Sequence, residues 1–219
     1  MTISNRLLLC AQFVKPGDRV ADIGCDHGYL GIHLLRNGIA RSVIASDINE
    51  MPLKSAIKNA EKYGFRDQMS FYLSDGVQNI PRDFDTLICA GMGGDTMVSI
   101  LTAAPWLKSE SYRLILQCQS KTPLLRRYLS ENGFYIARES LARDGKFLYT
   151  VMEVIYKPGA VLTPGQWYIS PALAEDNAPE LGEYRCRIVD GLALSVHHKD
   201  DPLLAQALNE LKEDTHGNR

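Results

Sequence analysis

Residues 19–28, Arg-Val-Ala-Asp-Ile-Gly-Cys-Asp-His-Gly, put a short apolar strand directly before a turn with glycines at 24 and 28. A helix over about 29–37 and a strand over 42–46 follow, and Asp47 closes that strand. Strand, glycine turn, helix and strand open a βαβ unit, whose parallel strands bind nucleotide-like cofactors at their carboxyl ends. The expected fold is therefore α/β, with a Rossmann-like, mainly parallel sheet.

The rest of the chain keeps this alternation as far as residue 157. A leading helix is expected over 7–14. Pro52 opens a helix that carries Leu53, Ala56, Ile57 and Ala60 on one face and stops at Gly64. Strands are expected over 69–73, 86–90 and 114–117, with helices after Gly94 and over 123–131. Two late strands, 134–137 and 147–155, complete a domain spanning 1–157. Prolines 158, 164, 171 and 179 then mark a connector. Leu181, Tyr184, Ile188 and Gly191 recur at helical spacing, as do Leu204, Leu208 and Leu211, which predicts a helical hairpin split near 199–202. Residues 158–219 read as a small helical C-terminal appendage.

Composition narrows the function classes. No apolar run approaches the roughly 18 residues of a membrane span, and the N-terminus lacks a signal-peptide pattern, so a cytoplasmic enzyme is expected. Five scattered cysteines without a C-x-x-C pair argue against a disulfide framework and against zinc, and most should be buried thiols. His197 and His198 would diverge on a helix, so no metal is expected. The net charge of −2 hides a division: residues 112–157 hold eight basic and four acidic side chains, whereas 158–219 hold five and ten. Arg126, Arg127, Arg143 and Lys146, together with Arg113, Lys121 and Arg138, are thus candidates for a positive face toward nucleic acid.

The first turn separates two cofactor classes. A dinucleotide turn of the form G-x-G-x-x-G uses its middle glycine to approach a pyrophosphate, but here Asp26 stands there and would repel it. S-adenosylmethionine lacks phosphate and carries a cationic amine and sulfonium. It fits Asp22-x-Gly24-x-x-x-Gly28 better than a nicotinamide dinucleotide does. On this reading Gly24, Cys25 and Gly28 line the methionine part, and Asp22 accepts from the ammonium through water or from turn amides. Asp47, followed by Ile48, takes both ribose hydroxyls. Asp75 accepts from the adenine amine while Gly76 makes room for the ring. Ala90, Gly91 and Met92 complete the cofactor border, and Gly93 and Gly94 let donor and acceptor meet over exposed backbone.

Val20 to Leu30, Ala90-Gly91-Met92-Gly93-Gly94, Leu114 to Gln117, Asn132-Gly133-Phe134 and Asp144-Gly145-Lys146 together resemble one family. It is the bacterial tRNA (adenine-N1)-methyltransferases that modify adenine 22, the TrmK family, and the resemblance covers about 5–157. It implies a class I methyltransferase fold, S-adenosylmethionine as cofactor and tRNA as partner. The chain departs from the family in its proline-interrupted, acidic tail, where members carry a coiled-coil-like helical domain. The segment after the fourth strand also lacks the Asn/Asp-Pro-Pro-Tyr of adenine N6 enzymes, in keeping with N1, whose lone pair needs no deprotonation. In that chemistry Asp26 would stabilise the cationic product and accept from the adenine amine. His27 would hydrogen-bond substrate or fix Asp26, and Tyr29 would stack on a base. Three alternatives stay open on the residues alone: a methyltransferase with another substrate, an NAD-dependent oxidoreductase, and a non-catalytic cofactor-binding module.

Overall fold

A computed structural model describes residues 2–216. Helix α1 (Asn5–Phe13) leads into β1 (Asp18–Ile23), α2 (Tyr29–Arg36), β2 (Ala40–Asp47), α3 (Glu50–Tyr63) and β3 (Met69–Leu73). Then come β4 (Thr86–Gly93), α4 (Gly94–Ala103), β5 (Arg113–Ser120), α5 (Thr122–Glu131), β6 (Phe134–Asp144) and β7 (Phe147–Tyr156). All seven strands form one sheet in the order β3-β2-β1-β4-β5-β7-β6. The first five are parallel, while β7 runs antiparallel to both β5 and β6. Strand order reverses between β1 and β4, and sheets of this kind take ligands at the carboxyl ends beside such a reversal.

The central strands are apolar on both faces because helices cover both. Val20, Ile88 and Ile115 face a cluster with Ala11, Leu34 and Ala56 from α1, α2 and α3. Ala21, Leu87 and Leu116 face a second cluster with Met97, Leu101, Leu125 and Leu129 from α4 and α5. The expected bounds of β3 hold, β1, β2 and β7 shift by one or two residues at an end, and the other three run on by three residues or more. β4 continues past Ala90 to Gly93 because β5 keeps pairing with it as far as Ser120, through two register shifts. β5 likewise extends to Ser120, and β6 is eleven residues long instead of four.

The connector is more ordered than its prolines suggested. Pro164 and Pro171 each occupy the first turn of a short helix, α6 (Pro164–Tyr168) and α7 (Pro171–Ala174), a position where a missing N–H costs nothing. The expected hairpin follows as α8 (Leu181–His198) and α9 (Pro202–His216). Its core joins Leu192, Ala207, Leu208 and Leu211 to Ile169, Leu173 and Leu141 of β6. Gly191 is not on the packed face; Leu192 takes that place. Four of the five cysteines are buried, and Cys186 is exposed.

Candidate active site

The turn after β1 folds back on β2. Gly24 and Cys25 both donate N–H to the Ser46 carbonyl, at 2.8 and 2.9 Å, and Gly28 N–H closes the turn on the Cys25 carbonyl. Gly28, at φ +70°, precedes α2 so closely against Ala56 that a side chain there would meet its Cβ at 3.0 Å. Gly24, also at φ +70°, lies under Met92, whose Cε would be 2.4 Å from an added Cβ. The β4 segment thus caps the first turn.

Two carboxylates converge beneath this turn. Asp47 is buried and accepts the N–H of Asp26 at 3.2 Å and of Asn49 at 2.9 Å. Asp22 is buried too, and among the described residues its Oδ2 has no hydrogen-bond partner. Burial first, then the Asp47 charge, pushes the Asp22 carboxyl up to about 7. The neighbouring Ser46 Oγ is likewise buried and unpaired. An orphaned buried carboxylate oxygen is costly, and at a strand end it is a candidate contact for a polar ligand.

The remaining predicted residues surround this point. Ile48 is exposed beyond Asp47. Ser74 N–H donates to the Asp47 carbonyl at 2.9 Å, which brings exposed Asp75 and half-buried Gly76 to the same edge. Asp26 is a non-glycine at φ +49°, held in that strained turn by Asp47, and it points to solvent. His27 Nε2 lies 3.6 Å from Asp26 Oδ1, and the His27 ring stacks on Tyr29 at 5.7 Å. Gly93 and Gly94 pack against Ser120 and Lys121, and a Cβ on Gly94 would strike the Lys121 carbonyl at 2.5 Å. Gly94 is buried in that contact, and Gly93 stays half-buried.

The predicted basic face requires correction. Arg126 is fully buried, pairing with Glu139 at 2.6 Å and donating to the carbonyls of Trp167 and Tyr168. It therefore cannot meet a phosphate. Arg127 pairs with Glu131 and stacks over Trp167, and Arg143 pairs with Glu183 of the appendage at 2.5 Å. Lys146 is exposed.

Residues outside the sequence reading also converge here. Gln117, completely buried within β5, accepts through Oε1 from Gly91 N–H at 3.0 Å and from Arg6 Nη1 at 2.8 Å. Gly91 stands at φ +81°, with Arg6 Nη1 3.4 Å and Gln119 Nε2 3.7 Å from where a side chain would begin. The available signal was a glutamine closing an otherwise apolar strand. Arg6 carried none, since only tertiary folding brings α1 to that edge.

A mostly parallel sheet with two buried carboxylates at the strand ends beside its switch point is the arrangement of cofactor-binding α/β proteins. The methyltransferase domain model matches residues 3–152, and the chain belongs to that family. A candidate tRNA methyltransferase of Mycoplasma genitalium is 32% identical over 146 residues, 64% of this chain and 63% of that protein. The tRNA (adenine(22)-N(1))-methyltransferase of Bacillus subtilis is 33% identical over 148 residues, 67% of this chain and 62% of that protein. The chain thus aligns with less than two thirds of the length of these curated relatives. A candidate tRNA (m1A22) methyltransferase of Streptococcus pneumoniae, solved with S-adenosyl-L-methionine, superposes with a TM-score of 0.86 at 28% identity, covering 97% of this chain and 99% of that one.

Proposed function

We propose that this protein transfers a methyl group from S-adenosylmethionine to N1 of adenine 22 in tRNA. The observation that carries the reading is the buried, unpaired Asp22 carboxylate beside Asp47 at the switch point. The proposed roles follow the strand ends. Asp22 would face the cofactor ammonium, directly or through water, and Asp47 the ribose hydroxyls. Asp75 would meet the adenine amine, with Ile48 and Gly76 against the ring. Gly24, Cys25 and Gly28 would line the methionine part, and Ala90, Gly91 and Met92 would border the transfer point.

S-adenosylmethionine supplies an electrophilic methyl group. The chain's own task is alignment and charge, because adenine N1 attacks through a lone pair and loses no proton first. Asp26 is the candidate to offset the positive charge the base acquires, and His27 to hold its carboxylate. Tyr29, exposed and stacked on His27, offers a face to the base. Residues 1–157 would form the catalytic domain and 158–219 an appendage. A cytoplasmic location fits this substrate, and no described helix is long and apolar enough to cross a membrane.

Incubation with labelled S-adenosylmethionine and unmodified total tRNA, followed by nucleoside analysis, tests the proposal. Label in 1-methyladenosine is the expected outcome. Label in another nucleoside, or none in tRNA, would overturn it.

A further inference from the structure

The β6–β7 hairpin returns the chain to the side of the sheet where the candidate site lies. Thr150 of β7 pairs with Cys118 near the carboxyl end of β5, so the residues before Thr150 stand beside the strand ends. The tip is braced on two sides. Toward α1, the Asp144 carboxylate accepts Asn5 N–H at 3.1 Å, and Asn5 Nδ2 donates to the Arg143 carbonyl at 2.8 Å. Toward α8, Arg143 pairs with Glu183, and Arg187 donates to the Lys146 carbonyl at 3.3 Å.

On this braced tip Phe147 is left 53% exposed. Its ring tilts against Tyr149 at 6.1 Å, and Lys146 Nζ lies 5.3 Å from the Phe147 centroid. Phe147, Tyr149 and Val151 alternate onto one face of β7. Val151 packs in the cluster under α1 and pairs in register with Gln117, the residue that binds Arg6 and Gly91. The aromatic pair therefore extends from the wall of the transfer point outward.

We propose that Lys146, Phe147 and Tyr149 form the ledge on which RNA docks beside the active site, with Phe147 stacking on an unpaired base and Lys146 meeting an adjacent phosphate. This rests on the reading of the substrate as tRNA. Reaching N1 takes the target base out of its stack, and the neighbouring base then needs a new surface. A rigid exposed ring beside a cation is the usual platform for single-stranded RNA. Arg126 is buried against Glu139, and Arg127 and Arg143 are paired with Glu131 and Glu183, whereas Lys146 is exposed at the tip beside Phe147.

The test measures binding of unmodified tRNA and formation of 1-methyladenosine by the wild type, Phe147→Ala, Phe147→Leu and Phe147→Trp. Phe147→Ala and Phe147→Leu should weaken tRNA binding about five- to a hundredfold, as loss of one stacked base does. Phe147→Trp should bind like the wild type, and S-adenosylhomocysteine affinity should be unchanged in all three. Equal tRNA binding by the wild type and Phe147→Leu overturns the ledge, whether or not methylation occurs. Failure of the wild type to methylate, with tRNA binding still lost in Phe147→Leu, overturns the reaction and keeps the ledge.

Discussion

Two regions bury a carboxylate, and they treat it in opposite ways. At the α5–β6 side, Glu139 is enclosed with Arg126 at 2.6 Å and also accepts the Ser170 hydroxyl at 2.5 Å, while Arg126 reaches two carbonyls of α6. Every strong group there is answered from within the chain. At the β1–β2 side, Asp22 is equally enclosed and its Oδ2 is answered by nothing in the described residues. A buried charge that is paired internally belongs to the architecture. One left unpaired, and pushed toward protonation, calls for a partner from outside.

The largest expected effect breaks the internally paired region. Glu139→Ala leaves Arg126 buried without a counter-charge and should cost about 3 to 5 kcal/mol of stability, read by denaturant unfolding. Where the variant still folds, cofactor affinity should stay near the wild-type value, because the β1 and β2 ends share no group with that cluster. At the other region, Asp47→Ala should weaken S-adenosylmethionine binding by about 2 to 3 kcal/mol, tens- to hundredsfold by calorimetry. Unchanged affinity would remove Asp47 from the site. The smallest expected effect sharpens the contrast inside the site itself. Asp26→Asn should lower turnover about tenfold, ~1.4 kcal/mol, and leave cofactor binding nearly intact, because a charge that acts on the product cation is felt in the transition state. Equal losses in both would make Asp26 a cofactor or structural residue.

The β1–β2 region was readable from sequence and the α5–β6 region was not. Glycines 24 and 28, Asp22 and Asp47 lie within one short βαβ unit, where local turn chemistry and strand periodicity place each residue. Glu139 and Arg126 lie thirteen residues apart on different elements, and nothing local pairs them. A register shift between Ile136 and Arg138 also breaks the alternation of β6. Phe134 and Ile136 face inward before the shift and Glu139 and Leu141 after it, so a strict two-residue period ends the strand too early. Arg126 reads as a surface cation beside Leu125, yet the helix turns it inward with Leu129 and Ser130. The two short helices did leave a signal in Thr163-x-x-Gln166 and Ser170-Pro171, which are start marks rather than connector marks.

Asp22 offers the most direct test that the unpaired region is built for a cationic ligand. Its carboxyl holds a proton up to about pH 7 in the folded protein, against about 4 when unfolded. Between those values the native state binds the extra proton, so this group's contribution to stability falls as pH rises through that window. A bound ammonium reverses the preference and favours the ionised form. S-adenosylmethionine binding at pH 6 should therefore expel a proton, measured by titration calorimetry in two buffers of different ionisation enthalpy. The predicted result is release of most of a proton per cofactor by the wild type and none by Asp22→Asn. No release by the wild type, or equal release by the variant, would contradict it.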